Sequence, residues 1–386
     1  MAFIKYPGGK ASELKIIKQY LPETIDRYFE PFVGGGAVYF DLDIEHSYIN
    51  DKSKELMYLY NAVRTQNIFF FRTLHDIDDA WENLKSVAVD NQSFFENLYI
   101  KFRDGVIDEA EMQCCVAGYV YQMDLTELEA VADTINFSRP AVADVLSKYL
   151  WQKCLSMKKL EQKKHLPEKD IITNIEGALK AGFYMYIRSL YNTFRLHEDL
   201  LKTLQNEDAY CGIFAALYVF IRETTYSAMF RYNTNGEFNV PYGGISYNKK
   251  SIANIIEKYK DSELVRKLSN TLIECMDFED FLQKYSPQKD DFVFVDPPYD
   301  SEFNEYDQLS FGKNEHEKLA DYLLNKCESN FMLIIKNTEF ISSLYEDGVH
   351  CRNGKDLSIM CFDKKYSVSF MNRNSKDAVH LIIKNY

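Results

Sequence analysis

The sequence predicts an α/β protein: a doubly wound, largely parallel sheet interrupted by a long helical insertion. Three observations point there. Between Asp26 and Arg64 the chain reads strand, glycine turn, strand, acid, helix, the opening order of such a sheet. Residues 66–205 then hold few Pro or Gly and show helical windows, as in EAEMQCCVAGYVYQM (109–123) and DIITNIEGALKAGFYMYIRSLYN (170–192). Strand–helix alternation returns from Phe292 onward.

The elements follow in order. Residues 10–20 have the spacing of an amphipathic helix, and Asp26 to Phe32 that of a short strand ending at Gly34-Gly35-Gly36, with a helix expected after it. Ser47 to Asn50 reads as a second strand ending at Asp51. Lys52 to Arg64 is helical, with Leu56, Leu59, Tyr60 and Val63 on one face. After the insertion, residues 224–248 turn rich in Gly, Asn, Tyr and Thr, and FRYN, TNGE and FNVPYGG read as a hairpin. Phe292 to Val295 is a buried strand, HEKLADYLLNK (316–326) a helix and FMLIIKN (331–337) a further strand. YSVSFMN (366–372) and DAVHLIIKNY (377–386) close the chain as strands. Domains are expected at 1–70 plus 263–386, at 71–178 for the helical insertion, and at 179–262 for a region containing the hairpin 229–243.

Composition bounds the function. With 386 residues and 46% apolar content, two or three globular domains are expected. No run of eighteen apolar residues occurs, and MAFIKYPGGK lacks a signal-peptide core, so a cytoplasmic protein without membrane contact is expected. Eight cysteines lie scattered with no CxxC pair and no His/Cys ligand cluster, which suits reduced thiols and no metal. The net charge of −13 argues against phosphate contact at first sight. Yet residues 76–147 alone hold fifteen Asp or Glu against four Lys or Arg. The acidity belongs to the insertion, and the rest of the chain is close to neutral.

Three constellations carry chemistry. EPFVGGGAVYF sets Gly34, Gly35 and Gly36 after a strand, where a backbone can approach a ligand closely or simply turn; it is not GxGxxG, so a dinucleotide-binding oxidoreductase is remote. Asp51 ends the next strand, placed to accept from ribose hydroxyls or to cap the helix that follows. KYPGGK (5–10) suits an anion at a helix N-terminus or a plain turn. The third is Asp296-Pro297-Pro298-Tyr299, at the end of FVFV. Two prolines remove two backbone donors and leave the carbonyls as acceptors. Asp296 adds an acceptor and Tyr299 a π-face. That set suits the exocyclic amine of a flat base: accepting both N–H bonds frees the nitrogen lone pair for attack.

With these motifs in order, the chain resembles the Dam-like class of DNA adenine-N6 methyltransferases. FIKYPGGK, YFEPFVGGGAVYF, YINDKSKELMYLYNAVR, FYMYIRSLYN (183–192), MFRYNTNGEFNVPYGG (229–244) and IECMDFEDFL (273–282) carry the likeness together with the proline pair. The resemblance implies a Rossmann-like methyltransferase sheet with an inserted helical region and a DNA-recognition hairpin. It implies S-adenosylmethionine as cofactor, touched by Tyr6, Lys10, Phe32, Gly34, Gly36, Asp51, Asp277, Phe278 and Asp296. Asp296, Pro297, Pro298 and Tyr299 would hold a flipped-out adenine of duplex DNA, and Arg231, Tyr232, Asn233 and Asn239 would contact DNA, as in restriction-modification methyltransferases of bacteria or phages. An N4-cytosine enzyme on the same fold, an RNA or protein-glutamine methyltransferase and a non-catalytic DNA-binding module are the alternatives. The acidic insertion departs from the family pattern, and a surface for self-association or a protein partner stands beside a solvated elaboration.

Overall fold

The computed structural model describes residues 3–6, 8–123, 142–163, 166–197, 206–228, 230–299, 311–365 and 377–386. The chain divides into two compact units, Met1–Arg64 with Glu263–Tyr386, and Thr65–Ser262.

The first unit is built on a seven-stranded sheet. Its strands are β1 (Arg27–Glu30), β2 (His46–Asn50), β3 (Thr271–Glu274), β4 (Phe292–Val295), β5 (Asn330–Lys336), β6 (Ser358–Lys365) and β7 (Asp377–Lys384). They lie in the order β3-β2-β1-β4-β5-β7-β6. Neighbours from β3 to β5 are parallel, and β7 runs against both β5 and β6. Successive strands step outward from β1 on one side and from β4 on the other, so the order reverses between these two. A ligand crevice is expected outside their carboxyl ends.

Burial on both faces explains the run of apolar residues in β4, all four of which are buried. Phe29, Val293, Val295, Leu333 and Ile383 point into one core, which is covered by Phe281 and Leu282 of the helix Phe278–Tyr285 and by Leu319 of the helix Lys313–Asp321. Tyr28, Phe292, Phe294, Met332 and Ile382 alternate with them along the strands and are buried too. β1 stops at Pro31 and β4 before Pro297, residues with no N–H to continue a ladder.

Two polar pairs brace the central strands. At the amino ends, Arg27 grips Asp291 with both prongs, Nε to Oδ1 at 3.0 Å and Nη2 to Oδ2 at 2.6 Å. Near the carboxyl end of β1, the Tyr28 hydroxyl donates to Glu30 Oε2 at 2.7 Å. Glu30 is 2% exposed. Burial pushes its carboxyl up to about 8 against the Tyr28 hydrogen bond, with the Asp296 charge adding to the rise.

The second unit is helical. Its helices are Ile68–Asp90, Gln92–Arg103, Glu109–Val120, Val142–Glu161, Glu168–Leu196, Glu207–Thr224 and Ile252–Tyr259. Asn67 and Asn206 cap two of them, and Asp108 with Glu111 forms a capping box on a third. Trp81 sits at the centre, with the Phe183 and Phe220 rings 6.3 and 5.4 Å away and the Lys180 ammonium 4.5 Å above its ring. The expected segments 71–178 and 179–262 both lie in this unit, and the helix Glu168–Leu196 runs unbroken across the line between them.

Several expectations change. Residues 10–20 form short 3-10 turns around one α turn, Leu14–Ile17, because Lys10 is drawn inward to a carboxylate instead of lying on a solvated helix face. The helix expected after the glycines is reduced to turns. Tyr39 and Phe40 pack in different directions there, the Tyr39 hydroxyl on Thr271 and the Phe40 ring on Phe3. The 316–326 helix begins earlier, at Lys313, and ends in a π turn, Tyr322–Lys326. The hairpin has single antiparallel bridges, Tyr232 to Phe238 and Thr225 to Tyr242, in place of a continuous ladder. Met229 and YSVSFMN lie outside the described residues. Among the described residues, no helix is long and apolar enough to cross a membrane.

Two outcomes follow. Replacing Arg27 by Met leaves the Asp291 carboxylate buried without its fork, and costs about 2–3 kcal/mol; this is below the full cost of breaking a buried pair because Arg27 is 26% exposed. Urea unfolding of the variant reads that loss. In the unfolded chain Glu30 titrates near the ordinary value of about 4.3, so the folded state binds this proton more tightly. Its contribution to stability is whole below that value and is lost as pH rises through about 8. Glu30→Gln therefore flattens the decline in unfolding midpoint across that window.

Candidate active site

The site assembles at the carboxyl ends of β1, β2 and β4, within the first unit. From β4 comes Asp296, partly exposed, then Pro297, buried, Pro298, exposed, and Tyr299, half-buried. Asp296 Oδ1 accepts from the Lys10 ammonium, which also donates to the Tyr299 hydroxyl at 3.1 Å and the Gly8 carbonyl at 3.2 Å. Lys10 is 2% exposed. Burial alone would lower its pKa, but the charge and hydrogen bond of Asp296, with the charge of Glu13, outweigh it and the value is raised, so the ammonium stays charged. Burial raises the Tyr299 phenol well above its usual range, against the pull of Lys10. The phenol is therefore neutral and its ring is held edge-on to His380, 5.4 Å between centroids.

From β1 comes the glycine turn. Gly34 and Gly36 have φ of +47° and +65°, backbone that favours glycine. A Cβ on Gly34 would sit 3.0 Å from the Tyr6 ring, and one on Gly36 would meet the Tyr60 hydroxyl at 2.6 Å. Tyr6 therefore lies directly over the turn. Phe32 packs against Phe278 at 5.4 Å and edge-on to Phe311 at 5.3 Å.

β2 supplies Asn50 and Asp51. Asp51 Oδ2 accepts from the Gly34 N–H and Oδ1 from the Ser53 N–H, both at 3.0 Å. Burial raises its pKa against the bonds from Ser53, Gly34 and Lys52. The capping role weighed for Asp51 falls instead to Ser53, whose Oγ accepts from the Leu56 N–H at 3.4 Å. Asn50, buried, donates to the Pro31 and Met276 carbonyls and accepts from the Met276 N–H, each at 3.0 Å. It locks the ends of β1 and β3 to β2. Asp277 follows that lock and caps the helix Phe278–Tyr285 through the Glu279 N–H. An exposed pairing with Lys52 at 3.4 Å adds little.

Thus Tyr6, Lys10, Phe32, Gly34, Gly36, Asp51, Asp277, Phe278 and Asp296 to Tyr299 all belong to one unit, while the four hairpin residues belong to the other. There, Arg231 Nε donates to Asn239 Oδ1 at 3.1 Å, and Arg195 lies 3.9 Å over the Tyr232 ring. Asn233 closes the turn: its Oδ1 accepts from the Asn235 and Glu237 N–H groups, and its Nδ2 donates to Glu237. Sequence reasoning missed Glu30, Asn50 and Phe311. The first two stand beside quoted motif residues, so their position was a signal; Phe311 carries none.

The chain matches the family model described as D12 class N6 adenine-specific DNA methyltransferase over residues 6–163 and 133–367. Type II methyltransferase M.CviBI of Paramecium bursaria Chlorella virus NC1A is 25% identical over 395 aligned positions, spanning 99% of this chain and 98% of that protein. Type II methyltransferase M.MjaIII of Methanocaldococcus jannaschii is 24% identical, spanning 89% and 87%. A DNA adenine methylase of Salmonella typhi is 28% identical, spanning 87% and 80%. The adenine reading stands over its N4-cytosine and non-catalytic alternatives: the chain belongs to the D12 class of N6 adenine-specific DNA methyltransferases.

Proposed function

We propose that this enzyme takes its methyl group from S-adenosylmethionine and delivers it to an adenine swung out of duplex DNA into the crevice beside Asp296 and Tyr299. One observation carries the reading: a buried ammonium, Lys10, clamps Asp296 and Tyr299 at the end of β4, in the same unit as the glycine turn under Tyr6. The donor set fits a cationic cofactor. Carboxylates Asp51, Asp277 and Asp296 follow the ends of β2, β3 and β4, while Lys10 is already spent on Asp296. A dinucleotide pyrophosphate would meet repulsion there.

S-adenosylmethionine, when bound, supplies a methyl group activated on a sulfonium. Asp51, oriented by backbone N–H groups that include those of Gly34 and Ser53, would accept from its ribose hydroxyls. Tyr6, Phe32, Gly34, Gly36 and the Asp277–Phe278 corner would line the rest.

For the base, Lys10 fixes the Asp296 carboxylate through Oδ1, and that carboxylate would accept an amine N–H. The Pro297 carbonyl would take the other. The Tyr299 ring would stack on the extruded purine, since a base must leave the duplex to be reached. This chain then contributes positioning, which is worth about 7–11 kcal/mol in well-oriented reactions, and no covalent intermediate on the enzyme. Paired with the Lys10 ammonium, Asp296 has orientation of the amine as its part; the proton leaves to water. Arg231, Tyr232 and Asn239 would contact DNA, with Asn233 shaping the turn that presents them.

The activity test is Asp296→Asn, which keeps the shape but turns one acceptor into a donor. Methyl transfer to adenine-containing duplex falls by about 10²–10³-fold, read as tritium moved from labelled cofactor, while the circular dichroism spectrum is kept. Near-wild-type transfer would end the assigned role. Cofactor binding is tested apart by titration calorimetry. Asp51→Ala weakens S-adenosylmethionine by about tenfold to a hundredfold, the cost of charge-assisted hydrogen bonds; undiminished affinity would remove Asp51 from the cofactor site.

A further inference from the structure

In the hairpin of the second unit, one residue is held on both its backbone polar groups by a side-chain amide from outside. Tyr232 and Phe238 face one another across it. The flanking bonds run from the Asn233 N–H to the Glu237 carbonyl at 2.9 Å and from the Asn239 N–H to the Arg231 carbonyl at 3.2 Å. That is the pattern of a non-hydrogen-bonded antiparallel pair. Both backbone polar groups of Phe238 therefore point away from Tyr232, out of the hairpin. Phe238 is buried, so these groups need partners.

Asn192 supplies both. Its Oδ1 accepts from the Phe238 N–H at 2.8 Å, and its Nδ2 donates to the Phe238 carbonyl at 3.1 Å. Only one orientation of the amide satisfies the two at once. Asn192 thus acts as a strand one residue long, carried on the helix Glu168–Leu196. Neighbours at helical spacing extend the cradle. The Tyr184 hydroxyl and Arg188 Nη1 donate to the Val240 carbonyl at 2.8 and 3.2 Å. The hydroxyls of Tyr191 and Tyr232 meet at 3.1 Å.

A two-stranded hairpin alone is marginally stable in water. A slip of one residue would turn Arg231 and Asn239 to the opposite face. Base-edge hydrogen bonds are directional, whereas phosphate contacts tolerate displacement. We propose that Asn192 is a positioning residue for sequence discrimination: by holding both polar groups of Phe238 it sets the register of the hairpin on the helix Glu168–Leu196, and so the direction in which Arg231 and Asn239 meet DNA. This rests on the reading of the hairpin as the DNA-contacting element.

The test uses the full chain and genomic DNA free of adenine methylation. Modification-sensitive sequencing after in-vitro reaction gives methylation rates at the preferred site and at sites differing by one base. Asn192→Ala lowers the ratio of these rates by about tenfold, the order of a lost base contact. Asn192→Asp gives no rescue, because its second oxygen opposes the Phe238 carbonyl. A smaller active fraction would lower both rates alike and leave their ratio intact. Hydrogen exchange decides the case of an inactive variant: faster exchange over residues 230–240, with the helix still protected, supports the proposal, and unchanged protection overturns it. Wild-type ratios in both Asn192 variants, while Arg231→Ala loses discrimination, also overturn it. Wild-type behaviour of Arg231→Ala and Asn239→Ala would instead overturn the hairpin reading beneath it.

Discussion

An ammonium with almost no exposure to water must sit against a negative charge, and for Lys10 that charge is Asp296, 286 residues further along the chain. Desolvating either group alone would cost several kcal/mol. The first unit is arranged around this constraint. The N-terminal arm has to reach the end of β4, and its short turns replace a regular helix in doing so. On the way, Tyr6 is laid across Gly34, and the positive φ angles of the glycine turn leave room for its ring. Asp51 then closes the arrangement from β2 by holding the Gly34 N–H.

What was legible in the sequence was local. Phe292 to Val295 is apolar throughout and bounded by acid and proline, so strand and site could be read together. The glycine turn and Asp51 were equally plain. What escaped depends on distant partners. β3 has only Thr271 fully buried, and so shows no apolar run. Glu30 looks like any acid until Tyr28 and the neighbouring strands enclose it. The acidic charge of the insertion suggested a module of its own, yet Trp81 packs on Phe183 and Phe220 from the region beyond. Charge reports the surface of those helices, while their buried faces decide what they join.

Both units solve one problem the same way. Where backbone groups turn away from their own ladder, an asparagine amide matches the peptide in shape and polarity. Asn50 takes both polar groups of Met276, and Asn192 both of Phe238. For Phe238, which is buried, neglect of these groups would cost about 1–3 kcal/mol apiece. Both residues lie inside quoted motifs, yet neither is marked there for this role, because its signal lies in the partner's geometry.

The interrupted path of the first unit bears on how the protein is made. β1 and β2 leave the ribosome early, but β4, which pairs with β1, and β3, which pairs with β2, are separated from them by the whole of Thr65–Ser262. The helical unit is continuous in the chain and rich in local contacts, the kind that form fast. During synthesis it can complete itself while two nascent strands wait with open edges, exposed to wrong partners until translation reaches β3 and β4. An acidic, self-repelling helical surface is then what a growing chain carries through that interval.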